Sequence, residues 1–231
     1  MDYSKLEEKI GVKFKDTKIL EQALTHRSYL NENRELKRGH NERLEFLGDA
    51  VLELSTTDYL YKKYPNKTEG DLTALRSALV NTNSIADAAI TIGLNDYLFL
   101  SKGEEKDTGR ARQYILANTF ESVIGAIYLD SGYGVADSFI KEFLFPKLEQ
   151  VITKGLWIDA KSKLQEIVQE KFSITPAYST IKESGPDHDK TFTVRVEYGK
   201  DGVFEGNGKS KQEAEQEAAR GALMKEKWLD Q

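Results

Sequence analysis

The stretch Asn41–Leu52, NERLEFLGDAVL, decides how this chain is read. Three acids, Glu42, Glu45 and Asp49, stand among Leu44, Phe46, Leu47, Val51 and Leu52. On a helix, at about 100° per residue, the acids fall within roughly 60° of one another. Leu44, Leu47, Val51 and Leu54 gather opposite, so the segment predicts a helix with an apolar face and a carboxylate face. An acidic helix face is ordinarily a solvated one. Three clustered carboxylates, however, repel one another unless a cation sits between them. Phe46 lies near the acidic side, where an exposed aromatic suggests a second chain or a substrate.

A second segment repeats the arrangement. In ILANTFESVIGAIYLD (Ile115–Asp130), Asn118 and Glu121 are three apart and share a face, while Ile115, Phe120, Val123, Ile124 and Ile127 take the other. Side by side, the two helices could gather Glu45, Asp49, Asn118 and Glu121 into an all-oxygen site of the kind Mg²⁺ prefers. Such sites hydrolyse phosphodiesters by polarising the phosphate and generating hydroxide from water. No Ser–His–Asp or Cys–His arrangement competes.

The remaining sequence bounds the possibilities. Its 231 residues allow one large domain or two small ones. The absence of cysteine excludes disulfides and thiolate metal sites, and suits a reducing cytoplasm. His26, His40 and His188 are scattered and form no HExxH pair. No apolar run reaches membrane-spanning length, and MDYSKLEEKIGVKF lacks a signal-peptide profile. A soluble cytoplasmic protein without a small-molecule cofactor is expected. The net charge of −5 means that any nucleic-acid contact must come from local patches or from metal ions that offset the acids.

The chain has two halves of different pattern. Up to about residue 150, apolar residues recur at helical spacing, as in Leu20, Ala23 and Leu24 or Leu72, Leu75 and Leu79. Beyond VITKGLWID, a helix over Ala160–Lys171 precedes strand-like runs at Ala177–Ile181, Thr191–Tyr198 and Val203–Glu205. A last helix over Ser210–Lys227 carries Ala214, Ala218, Ala219, Ala222 and Leu223 on one side. The boundary falls near Lys154–Gly155, giving domains over residues 1–153 and 158–231.

NERLEFLGDAVL resembles the signature motif of the bacterial ribonuclease III family. ALTHRSY, EGDLTALRSALV, SKGEE and ILANTFESVIGAIYLD resemble its other blocks, in order. The resemblance implies a mainly α protein: an all-helical endonuclease domain followed by a small α+β (α-β-β-β-α) double-stranded-RNA-binding domain. It also implies a homodimer that cuts double-stranded RNA to 5′-phosphate and 3′-hydroxyl ends with short 3′ overhangs, processing structured precursors such as ribosomal RNA. By motif position, Glu45, Asp49, Asn118 and Glu121 are the catalytic metal ligands for Mg²⁺, with Mn²⁺ as substitute. Glu42 lies nearer the dimer interface, and Phe46 is a knob entering the partner subunit.

Asn118 departs from the pattern, which usually has Asp there. Its carbonyl oxygen can still bind Mg²⁺ but brings no charge. Two readings stay open: an active variant, or a catalytically impaired binder of double-stranded RNA. A DNA-directed nuclease with a similar metal site is a third, which the C-terminal module opposes. Tyr114 stands where Ser is commoner.

In the C-terminal module, the resemblance makes Gln165 and Gln169 one minor-groove contact and His188 another, with Lys209, Lys211 and Gln212 facing phosphates. The family often has paired lysines where this chain has Lys211–Gln212. Residues 157–231 hold 12 Lys and Arg against 14 Asp and Glu, a balance of −2, so weak, salt-sensitive binding is expected. Arg110 and Arg112 are either phosphate contacts near the cut or loop charges. Glu69 is either an outer support of the metal site or a helix-start acid. His26 is expected to be a structural hydrogen-bonding histidine.

Overall fold

The computed structural model describes residues 2–153, 155, 157–186, 190–199 and 202–228. The chain divides into two compact units, Met1–Thr153 and Lys154–Gln231.

The first unit is helical: α1 (Ser4–Ile10), α2 (Thr17–Ala23), α3 (Arg27–Glu32), α4 (Glu42–Lys63), α5 (Glu69–Leu79), α6 (Thr82–Ile92), α7 (Lys102–Lys106), α8 (Arg110–Ser131), α9 (Tyr133–Phe143) and α10 (Leu148–Thr153). Local chemistry sets several ends. Thr68 and Asp71 form a reciprocal capping box on α5. Asn81 caps α6 by accepting from Ser84 N–H, and Gly93, at φ 80°, closes it in the left-handed region that glycine enters at no cost.

Helix α8 is the axis of this unit. Helices α2, α4, α6 and α9 all pack on it. As a result Leu116, Ala117, Ser122, Gly125 and Ala126 are buried along with the predicted Ile115, Phe120, Val123, Ile124 and Ile127. The sequence pattern assigned α8 one apolar face. The structure encloses it on nearly all sides, because small residues allow close helix contact wherever large ones do not fill the space.

The apolar stripe of α4 also differs from expectation. Leu54 is 57% exposed, whereas Leu44, Gly48, Val51, Leu52, Ser55 and Thr56 are buried. The contact with α8 centres on Gly48 rather than on the leucines. This rotates the buried stripe by roughly 80° toward the acidic face, counted at 100° per residue.

The second unit runs α11 (Ala160–Phe172), β1 (Ala177–Ser184), β2 (Thr191–Tyr198), β3 (Gly202–Gly208) and α12 (Lys211–Lys225). The strands form an antiparallel sheet in the order β1-β2-β3. Val196 and Tyr198 meet Leu164, Ile167 and Val168 of α11 and Ala218, Ala219, Ala222 and Leu223 of α12 in one core. Burying alternate residues of β2 holds the register, since a one-residue slip would turn the apolar set outward. Helix α12 lies close on β3, where a Cβ on Gly206 would come 2.1 Å from Ala218 N. Strands β1 and β3 run past their predicted ends, and β1 carries a one-residue register shift between Thr180 and Lys182.

Candidate active site

The site is built on the crossing of α4 and α8. A Cβ on Gly48 would lie 1.7 Å from the carbonyl oxygen of Glu121, and one on Gly125 would lie 2.2 Å from that of Leu44. Each glycine therefore receives the other helix's backbone. Glu45 and Asp49 flank Gly48, and Asn118 and Glu121 precede Gly125 by two turns and one. The close approach thus brings the four oxygen-bearing side chains to one edge of the crossing. Residues on either side hold it in register. The buried Asn41 donates its N–H to Thr25 O at 2.9 Å, and its carbonyl accepts from Ser122 Oγ at 3.4 Å. Ser122 Oγ also donates to Asn118 O at 2.7 Å.

The electrostatics follow from this geometry. Burial pushes the Glu121 carboxyl up to about 8, helped by the charges of Asp49 and Glu45. Burial, and then Glu42 and Asp49, raise Glu45, while a hydrogen bond from Asn118 opposes them. Burial and Glu53 raise Asp49. No basic side chain is among the causes acting on these three. Glu42 differs, with Arg27 at 3.3 Å and His40 Nδ1 at 3.7 Å.

Among the described residues, no three acidic or histidine side chains converge on a point as a finished cage. The carboxyl groups sit side by side, each raised by burial and by its acidic neighbours, and the fourth member, Asn118, is an amide. The donor chemistry fits a hard divalent cation: oxygens only, no basic partner, and carboxyls held above their ordinary range by burial and by one another. Asn118 can serve at both ends, its N–H on Glu45 and its carbonyl oxygen toward the ion.

Beside this edge is a pocket lined by His26, Arg27, Asn41, Glu42, Glu45, Glu104 and Asn118. His26 caps α3 by accepting from Ser28 N–H, and burial lowers its pKa. Glu69 sits at the start of α5 and accepts from Thr73 Oγ1 at 3.0 Å. It lines a separate hollow with Tyr61, Leu72 and Arg76. Arg112 is tied to main-chain carbonyls of Glu104, Asp107 and Glu105 at 2.8, 3.0 and 3.0 Å. Arg110 is exposed and reaches Tyr114 Oη at 3.3 Å. Phe46 is 81% exposed, and Tyr61 and Leu54 continue an exposed apolar stripe along α4.

In the second unit, Gln165 and Gln169 are exposed on one face of α11, and Gln212 is exposed at the start of α12. Lys211 Nζ lies 3.2 Å from Glu183 Oε1, and the N–H of Lys209 donates to Glu213 Oε2 at 2.7 Å. His188 lies outside the described residues.

Sequence reasoning missed Gly48, Gly125, Asn41 and Ser122. A signal for the glycines was present: each sits inside an otherwise strong helical pattern one turn from a site carboxylate, where a glycine costs helix stability unless something packs on it.

Comparison with known proteins supplies the family. Residues 16–148 match the Ribonuclease-III-like family, and residues 160–225 match the double-stranded RNA binding motif. The chain is 46% identical over 220 residues to a protein named Ribonuclease 3 from Enterococcus faecalis, covering 95% of each. It is 46% identical over 220 residues to the Borreliella burgdorferi protein of the same name, covering 95% of this chain and 89% of that one. Among solved structures, the nuclease domain of ribonuclease III from Campylobacter jejuni matches with TM-score 0.57 and 40% identity, over 63% of this chain and 97% of that domain. That structure is described as flexible in a region involved in dimer formation. Among the described residues, no helix is long and apolar enough to cross a membrane.

Proposed function

The chain belongs to the ribonuclease III family, and from that premise we propose an Mg²⁺-dependent endonuclease that works as a cytoplasmic homodimer. Family membership makes it an endoribonuclease acting on double-stranded RNA. The finer reading is that Mg²⁺, or Mn²⁺ in its place, is held by Glu45, Asp49, Asn118 and Glu121. The products carry 5′-phosphates, 3′-hydroxyls and short 3′ overhangs, and structured precursors such as ribosomal RNA are the substrates.

One observation carries this reading: the Gly48–Gly125 crossing gathers three carboxylates and an amide without a basic partner, and Glu121 is pushed up to about 8. The bound cation would polarise the phosphate and acidify a water. The chain's own residues prepare for it. Burial and the neighbouring carboxylates hold the Glu121 carboxyl up at about 8, and a bound cation would favour its ionised form. Asn118 steadies Glu45 through its N–H. Phe46, exposed on the same helix as Glu45 and Asp49, anchors the second copy, so subunit pairing and ligand placement share one rigid element. Gln165, Gln169, His188, Lys209, Lys211 and Gln212 are the proposed RNA contacts of the C-terminal module, and Arg110 that of the first unit. Arg112 instead supports the α7 turn through its three carbonyl bonds.

The test is cleavage of a long RNA duplex with and without Mg²⁺, using this chain beside Asn118→Asp and Glu121→Gln. Cutting by this chain that requires Mg²⁺ and is lost in Glu121→Gln is expected. If only Asn118→Asp cuts, the chain holds RNA without cleaving it.

A further inference from the structure

The register shift in β1 decides which charge faces the RNA-binding end of α12. Tyr178 pairs with Val196 and Thr180 with Val194, so even-numbered residues of β1 begin on the helix-facing side. A regular ladder would continue with Lys182 opposite Phe192. After the shift, Lys182 pairs with Thr193, and Glu183 pairs with Phe192 instead. Because a one-residue shift exchanges the two faces of a strand, an acid stands where a base would have stood.

Phe192 in turn pairs with Gly208, which ends β3 just before α12. A Cβ on Gly208 would come 2.5 Å from Ala214 N, so the sheet end is pressed against the first turn of the helix. Glu183, Phe192 and Gly208 form one row across three strands, and Lys211 emerges above it. Its ammonium lies 5.7 Å from the Phe192 ring centre and 3.2 Å from the Glu183 carboxylate. Both charged side chains remain accessible to a ligand, at 58% and 41% exposure.

We infer that Glu183 is an internal stand-in for RNA phosphate: it holds Lys211 in the free protein and is displaced when duplex RNA binds, setting the module's affinity below what its lysines allow. This rests on the reading that the module binds double-stranded RNA through Lys211. Nearby, Glu213 accepts from the Lys209 N–H at 2.7 Å at the start of α12. Competition of this kind has a specific signature. Lys211 gains a phosphate only by giving up a carboxylate, so its contact contributes little net counterion release.

The experiment measures binding of a fluorescent RNA duplex of about 20 base pairs, long enough for one such module. It uses the full chain in EDTA, so that nothing is cut, across a salt series. Glu183→Gln should bind about two- to fivefold more tightly at low salt, the range an exposed ion pair supplies. Its plot of log affinity against log salt should steepen by up to about 0.9, one phosphate contact. In the Lys211→Gln background the same substitution should change neither quantity. Glu197→Gln, an equal change in net charge on β2, serves as control. Unchanged or weaker binding by Glu183→Gln overturns the inference, as does an equal gain with Lys211 absent or in the Glu197→Gln control. Failure of the parent chain to bind duplex RNA at all overturns the RNA-binding reading along with it.

Discussion

Replacing Gly48 by alanine should both loosen the first unit and misplace its ligands. In an ordinary helix the change stabilises by up to about 1 kcal/mol. Here the new Cβ would lie 1.7 Å from Glu121 O and 2.9 Å from Gly125 N. Carbon–oxygen contacts settle near 3.3 Å, so α4 and α8 must separate by about 1.5 Å. Both obstacles are backbone, and no side-chain rotation relieves them. Overpacking costs typically about 1–3 kcal/mol, and a backbone clash of this depth belongs at the upper end. The net loss is then about 2 kcal/mol, roughly 4–8 °C in Tm for a chain of this size. The effect on activity is larger. Glu121 is the residue displaced, and a misplacement of about 1 Å can cost about 100-fold in rate. The assays are a thermal melt and single-turnover cleavage of an RNA duplex. Gly134→Ala in α9, where nothing lies within 4 Å of the new Cβ, should leave both near the parent values. Parent-like Tm and cleavage in Gly48→Ala would refute the claim that this glycine sets the site.

Further outcomes are expected of the site and its surroundings. Folded Glu121 titrates near 8, above its unfolded value of about 4.5. Between those values the folded chain keeps a proton that the unfolded chain releases, so stability is full below about 4.5 and falls as pH rises toward 8. In EDTA, Glu121→Gln should flatten that fall by up to about 1.4 kcal/mol per pH unit, and an unaltered Tm–pH slope would contradict the assignment. Asn118→Asp adds a fourth carboxylate and should lower the Mg²⁺ concentration giving half-maximal cleavage; an equal or higher requirement would count against Asn118 as a ligand. Phe46→Ala, at a ring 81% exposed in the single chain, should shift sedimentation at micromolar concentration toward monomer. A persistent dimer would show that the ring is not the anchor.

Much of this protein follows from local chemistry. The alternation of Phe192, Val194 and Val196 specified a strand with one buried face. The spacing of Glu45, Asp49, Asn118 and Glu121 specified two helices carrying oxygen donors. Both are short-range properties, written in the period of one element. What the chain order could not express was how the elements meet. Leu54 looked like core and is exposed, because the α4–α8 contact centres on Gly48, a residue with no hydrophobicity to count. Helix α8 looked two-faced and is enclosed, because four other helices pack on it. The strand at Ala177–Ile181 was expected to stop before Glu183, yet β1 runs on, and one extra residue in it turns Glu183 to meet Lys211. Periodicity follows from the backbone geometry of a single segment, so sequence alone determines it. Close approach and register follow from which atoms of distant segments exclude one another, and only the packed structure decides that.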